Sequence, residues 1–184
     1  MSPLRIERFR PELREDFRAL HSDANDAGRC RCVAWWVPTW DGWGERTPAE
    51  NAALRESLCD AGEYDGLLAY DGDEPVGWCQ VGPRDRLAKL VTQLELEPDP
   101  SVWAVTCFLV AAQRRRRGVA SALLRGAIAA AREAGASRLE AYPRREAAEP
   151  GEMWTGPTSL FLDAGFSLER EGSPRSVVSL GLRG

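Results

Sequence analysis

Gln113-Arg114-Arg115-Arg116-Arg117-Gly118-Val119-Ala120 separates an apolar run from an amphipathic one, and the reading of this stretch decides the fold. The preceding run, Trp103-Ala104-Val105-Thr106-Cys107-Phe108-Leu109-Val110, is rich in aromatic and β-branched residues and lacks Gly, Pro and charge. Such a run predicts a strand buried on both faces. In the following run Ala120, Leu123, Leu124, Ala127, Ile128 and Ala131 recur three or four apart, with Ser121, Arg125 and Arg132 opposite. That spacing predicts a helix over 118–134, closed near Gly135. The first N–H groups of a helix have no partner within it, and with the positive end of the helix dipole they attract anions. Gly118 lacks a Cβ and lets an anion oxygen come close to the main chain. The arginine cluster therefore reads as a pyrophosphate site. The competing reading is a solvated charge run or a nucleic-acid patch. Against it, the run is short and the chain is acidic, with a net charge of −4, whereas duplex-binding domains carry a broad basic face.

Arg115-x-x-Gly118-x-Ala120, after a strand ending at Val110 and at the opening of a helix, resembles the Arg/Gln-x-x-Gly-x-Gly/Ala acyl-CoA signature of the GNAT superfamily of N-acetyltransferases. The resemblance implies an α/β (α+β) fold with a mixed, mostly antiparallel sheet of about seven strands flanked by helices and splayed between the fourth and fifth. The order in that family is strand, two helices, three antiparallel strands, helix, strand, helix, two strands, and the chain supplies candidates along it. Leu4–Arg10 reads as the first strand and Pro11–Ser22 as a helix with proline at its start. Thr47-Pro48-Ala49-Glu50 reads as the cap of a second helix running to Ala61. Gly66–Tyr70 and Pro75–Val81 read as a hairpin joined by Asp71-Gly72-Asp73-Glu74. Beyond the pyrophosphate helix come a strand at Arg138–Tyr142, a helix at Thr158–Ala164 stopped by Gly165, and a last strand at Ser176–Leu182.

The length of 184 residues suits a single domain spanning 1–184 with a sizeable core. No apolar run approaches the roughly 18 residues needed to cross a bilayer, and Met1-Ser2-Pro3-Leu4-Arg5 offers no signal core, so a soluble, cytoplasmic protein is expected, with no membrane partner. Five cysteines, an odd number spread over strands and one loop, do not form a disulfide framework. Cys30-Arg31-Cys32 lacks the usual two-to-four-residue ligand spacing of zinc sites, so these read as reduced, packed cysteines and no metal is expected. The chain has no Gly-x-Ser-x-Gly elbow, no Gly-Lys-Ser/Thr loop and no His-Glu-x-x-His, and Gly42-x-Gly44 lacks the third glycine of a dinucleotide fingerprint. The single histidine, His21, reads as a surface residue of an early helix. Trp35, Trp36, Trp40 and Trp43 read either as a hydrophobic plug under a long loop or as the wall of an acceptor pocket.

What the resemblance implies about the site follows position by position. Backbone groups of Phe108, Leu109 and Val110 would bond the pantetheine arm where the fourth strand leaves the fifth. The amides of Arg115, Arg116, Arg117, Gly118, Val119 and Ala120 would hold the pyrophosphate of acetyl-CoA, with the guanidinium groups adding charge. Many members carry a tyrosine four residues before the Gly-Phe that closes the penultimate helix, where it protonates the leaving thiolate. Here Phe161 stands there, and Trp154 takes the place of an asparagine frequent seven residues earlier. Tyr142 is the candidate substitute, although a thiol of pKa ~8.5 leaves tolerably without help near neutral pH. An alkylamine of pKa ~10.4 must lose a proton before it attacks. The strand 103–110 carries no glutamate for this, so Glu140, Asp41 and Glu45 are the candidate bases. Cys107 could carry the acyl group on its sulfur, but with no histidine in evidence to activate it, direct transfer in a ternary complex is expected. The acceptor implied is an amine on a small molecule. The alternative reading is an acyl-CoA-binding module without turnover, favoured by Phe161 and the missing glutamate; nucleic-acid binding through Arg114–Arg117 is a weaker third, and no nucleic-acid partner is expected. Dimers are common in the family, and the sequence leaves a homodimer open.

Overall fold

The run expected to be buried on both faces forms β4 (Val102–Val110), the middle strand of a seven-stranded sheet in the order β1-β2-β3-β4-β5-β7-β6. The computed structural model describes residues 3–22, 30–144, 150–172 and 175–183. β1 is Arg5–Arg8, β2 Gly66–Asp71, β3 Glu74–Pro83, β5 Arg138–Ala141, β6 Ser167–Arg170 and β7 Val177–Gly181. Every pairing is antiparallel except β4 with β5, which run parallel. The mixed sheet of seven mostly antiparallel strands is thus as the sequence reading has it.

β4 and β5 pair only from Val102 opposite Arg138 to Val105 opposite Ala141. Beyond that point β4 continues to Val110 with β3 as its sole neighbour. The parting coincides with a β-bulge, because Gln80 faces Cys107 while Val81 faces Val105, leaving Thr106 as the extra residue. The bulge changes which side chains share a face. Trp103, Val105, Phe108 and Val110 pack with the helix that follows β4, whereas Cys107 and Leu109 pack with the first helix.

The following helix, α4 (Val119–Glu133), buries Leu123, Leu124, Ala127, Ile128 and Ala131 against β2 and β3, the stripe read from its sequence. It ends as expected at Gly135, where the Gly135 and Ala136 amides return to the carbonyls of Arg132 and Ala131. α1 is shorter than expected: Pro11–Leu13 form a 3-10 turn, and the α-helix proper is Arg14–Leu20. α2 (Pro48–Asp60) carries the expected cap in full, with the Thr47 hydroxyl and the Glu50 carboxylate each accepting the other residue's backbone N–H. α1 and α2 cover the second face, where Phe17, Tyr64 and Trp78 make an aromatic core with Tyr64 and Trp78 stacked at 5.7 Å. Two elements escaped the sequence reading. α3 (Ala88–Gln93) is a six-residue helix, and β6 is a wholly exposed edge strand whose Ser-Leu-Glu-Arg carries no burial pattern. α5 (Thr158–Leu162) lies within the expected range. No helix among the described residues is long and apolar enough to cross a membrane.

α4 starts against β3 at Gly77, where a Cβ would lie 2.6 Å from Cγ1 of Val119. That contact is closer than packed carbons allow, so any side chain there pushes the first turn of α4 off the sheet. Gly77→Ala is expected to lower stability by about 1–3 kcal/mol, read as a lower urea midpoint at unchanged m-value.

Candidate functional site

The Gly118 region is built as a cradle of main-chain donors. After β4 the chain makes a tight turn at Ala112–Arg114, becomes extended at Arg115, and then takes left-handed backbone at Arg116 (φ 60°) and Gly118 (φ 79°) before α4 begins. A non-glycine residue in this region is costly, and such strain collects at ligand-binding loops. The alternation turns successive N–H groups toward one side, the arrangement that makes an anion-binding nest. The Ala122 N–H is the first to bond back into the helix, to Gly118 O. The N–H groups of Val119, Ala120 and Ser121 therefore precede the first intrahelical bond. These residues line a groove of about 210 Å³ with Val110, Arg114, Arg115 and Arg116. Arg117, expected with the others, does not line it. Arg114 is held from outside by Asp71 and Glu74 of the β2–β3 hairpin, each at 2.6 Å, so it braces the loop rather than standing free for a ligand. Arg115 Nε donates to Val110 O at 3.3 Å, tying the loop to the end of β4. The donors, the dipole and the exposed guanidinium groups of Arg115 and Arg116 together make a site for a polyanion.

The groove opens onto the parted end of β4. Past Val105 the edge of β4 that faced β5 has no strand partner, so Phe108, Leu109 and Val110 offer a polar main-chain edge to an extended ligand. On the α4 face, Phe108 packs against Phe161, which is 0 % exposed and also touches Phe166. The position at which the resemblance implies a tyrosine is thus filled by hydrocarbon.

On the opposite face the structure changes the reading of several residues. His21 is buried at 3 % exposure rather than on the surface, because the end of α1 turns it onto Phe17 and Trp78. Its Nδ1 lies 2.9 Å from Phe17 O, which only accepts, so Nδ1 carries a proton and Nε2 faces Cys32 Sγ at 3.4 Å. Cys32 Sγ lies 2.9 Å from Cys107 Sγ. A histidine therefore does stand near Cys107, one thiol removed. The contact works against Cys107 as a nucleophile: donation to Cys32 and burial hold its pKa well above the ordinary range, while the same bond and then His21 hold Cys32 low. Thr106 donates to Gln80 Oε1 at 2.9 Å beside this pair.

Glu140 and Tyr142, expected near the splay, are there, but their polar atoms are engaged. Glu140 is buried and meets Arg84 at 3.0 Å and Arg138 at 2.9 Å, and it accepts from the Tyr142 hydroxyl at 2.7 Å. Burial, and then the Glu140 charge, push the Tyr142 phenol well above its ordinary pKa, which makes it a poor acid. Through Arg84 the Glu140 carboxylate ties β5 to the turn at Arg84–Arg86, a pairing for which neither residue's neighbours in sequence hold a signal. Asp41 and Glu45, the other candidate bases, are exposed.

The tryptophan segment packs as a partly buried aromatic cluster with an unforeseen occupant. Trp35 is buried, Trp36 and Trp43 are half-buried and Trp40 is exposed. Lys89 of α3 lies among them at 6 % exposure, its Nζ 3.4 Å from the Trp40 ring centroid and 5.7 Å from those of Trp35 and Trp43, donating to Ala34 O. Burial pushes the Lys89 amine down to about 8. The aromatic cage is therefore filled by the chain's own cation. Trp35 also meets Trp154 at 6.0 Å, with the Arg175 guanidinium against both rings. Arg84, Lys89 and Arg175 escaped the sequence reading because single basic residues in short or unpatterned segments carry no periodic signal. Among the described residues no group of three His, Cys, Asp or Glu is placed to hold a metal ion.

The sequence model of the Acetyltransferase (GNAT) family matches residues 10–149. No curated protein matches the chain. Among solved structures, an N-acetyltransferase from Staphylococcus aureus Mu50 superposes with a TM-score of 0.59 at 17 % identity, over 99 % of this chain and 100 % of that one. A putative acetyltransferase from Salmonella typhimurium, solved with its cofactor acetyl-CoA, gives 0.57 at 15 % identity over 98 % and 94 %. The PaiA N-acetyltransferase from Thermoplasma acidophilum, in complex with coenzyme A, gives 0.58 at 10 % identity over 98 % and 99 %.

If Glu140 serves as an ion-pair anchor, removing it strands a buried guanidinium. Glu140→Ala is expected to cost about 3–5 kcal/mol in urea unfolding, while Asp41→Ala and Glu45→Ala, at exposed sites, stay within about 0.5 kcal/mol of the parent.

Proposed function

We propose, since the chain belongs to the acetyltransferase (GNAT) family, that it transfers an acetyl group from acetyl-CoA to an amine of a small acceptor by direct attack in a ternary complex. One observation carries this reading: the anion groove at the start of α4 is continuous with the open main-chain edge of β4. A ligand with a pyrophosphate at one end and amides along its arm would use both at once. The N–H groups of 116–121 and the guanidinium groups of Arg115 and Arg116 would hold the phosphates, and Phe108, Leu109 and Val110 the pantetheine amides. The thioester supplies an activated acyl carbon and a thiolate leaving group. The side chains near the parting do little proton chemistry of their own: Phe161 has no hydroxyl, and Glu140 and Tyr142 are bound to each other. Thiolate departure then rests on the thiol's own acidity, and the acceptor ammonium sheds its proton to water. The same observations favour a second reading, a module that binds acyl-CoA without turning it over.

Calorimetric titration with acetyl-CoA is expected to show micromolar binding, weaker for dephospho-CoA and lost in Gly118→Glu, which places a carboxylate where the backbone is left-handed and the phosphates would lie. Absence of binding by the parent protein would remove the acyl-CoA reading altogether. With binding established, CoA release across a panel of amines separates the enzyme from the module. Release with at least one amine supports transfer, and tight binding with only background hydrolysis supports the module.

Direct transfer has its own test. Incubation with radiolabelled acetyl-CoA followed by denaturation is expected to leave no thiol-linked label on the protein, whereas a label absent from Cys107→Ala would establish a covalent intermediate.

A further inference from the structure

Most of the arginines drawn into this fold are met by carboxylates. Arg84 has Glu140 and Asp85, Arg55 has Glu56, and Arg114 has Asp71 and Glu74. Arg175, half-buried in the segment before β7, has none among the described residues. Its guanidinium lies against the rings of Trp154 (4.7 Å) and Trp35 (5.4 Å). Nη1 donates to Tyr142 O at 3.3 Å and to Thr155 Oγ1 at 3.0 Å. Nε and Nη2, the side-on pair of donors that matches the two oxygens of a carboxylate, have no partner among the described residues. Tyr142 directly follows Ala141, the last β5 residue paired with β4, so the guanidinium stands at the mouth of the parting. Arg144 bridges to Arg175 in the backbone and adds a second positive charge nearby. Burial, and then Arg144, push the Arg175 guanidinium down to about 10, which leaves it protonated at neutral pH and in want of an anion. The neighbouring aromatic cage, the natural seat for a cationic acceptor group, already holds Lys89.

We infer that Arg175 anchors the acceptor through a carboxylate, so that the acceptor class is an amine that also bears a carboxylate, as an amino acid does. The inference rests on the transfer reading above for the role of the bound amine, though not for its binding. The two donors of the side-on edge take the two carboxylate oxygens, Trp35 and Trp154 hold the guanidinium plane, and the Tyr142 carbonyl fixes its rotation. The amine is then left beside the end of β5, where the two strands separate.

The test is equilibrium binding to the full protein saturated with CoA, followed by tryptophan emission and checked by calorimetry. The probes are the common α-amino acids, each beside its own carboxamide and its decarboxylated amine. At least one amino acid is expected to bind about tenfold or more tightly than its two uncharged-end counterparts, the factor that loss of a charge-assisted hydrogen-bonded pair implies. Arg175→Gln is expected to abolish that preference while leaving acetyl-CoA affinity unchanged, and Arg175→Lys to keep part of it. The inference is overturned if the carboxamides bind as well as the acids, if the preference survives in Arg175→Gln, or if no amino acid binds. CoA release on the same panel keeps the two readings apart. Binding of the acids without release by any of them supports the carboxylate anchor and sinks transfer, whereas release with no preference for the acids keeps transfer and sinks the anchor.

Discussion

The extra residue at Thr106 governs the rest of the structure. A strand between two neighbours spends its polar groups on both sides, and β4 does so only up to Val105. The bulge inserts one residue on the β3 side, bends the strand where its pairing with β5 ends, and leaves one main-chain edge open in the middle of the sheet. It also puts Cys107 beside Cys32 and Phe108 against Phe161. Without it Cys107 would face α4 and Phe108 would face α1, and neither face would pack as it does.

The open edge is useful only because its far end is electrically prepared. The chain is acidic overall, yet its consecutive arginines fall where a helix begins, and the loop gives two of its residues left-handed backbone to turn the amides outward. Arg114 shows how the charge is partitioned: with Asp71 and Glu74 it fixes the loop to the hairpin, and the groove draws its charge from Arg115 and Arg116. Gly77 completes the arrangement from below, since Val119 can sit on β3 only where no Cβ intervenes. Sheet, loop and helix are thus fixed relative to one another by one glycine and one pair of ion contacts.

The local patterns were legible and the long-range partnerships were not. β4, α4 and the cap of α2 follow from periodicity and capping chemistry, which act over a few residues. The cradle followed because an arginine run, a glycine and a helix start are contiguous in sequence. β6 leaves no signal because an exposed edge strand has no inward face to pattern, and α3 because six residues complete fewer than two helical turns. His21 reads as a surface residue since nothing in its neighbours reveals that the end of α1 meets Cys32, eleven residues on. Glu140 is one of several candidate bases in sequence because its partner Arg84 lies 56 residues away across the sheet. A carboxylate on a strand looks alike in sequence whether it is free or paired, and only the fold decides which.

The tryptophan segment carries the same lesson into energetics. A lysine amine taken out of water with no carboxylate beside it among the described residues is expensive, and its lowered pKa follows from that burial. What offsets the cost is a carbonyl oxygen and the negative faces of three indoles, which is why this segment holds tryptophan rather than leucine or phenylalanine. Arg175 meets a different solution on the same Trp35: its plane is covered by indoles and one edge by a carbonyl and a hydroxyl, but the other edge meets no oxygen among the described residues. Two cations thus share one ring, and the described residues complete the environment of only one of them. The other is completed by whatever anion enters at the end of β5.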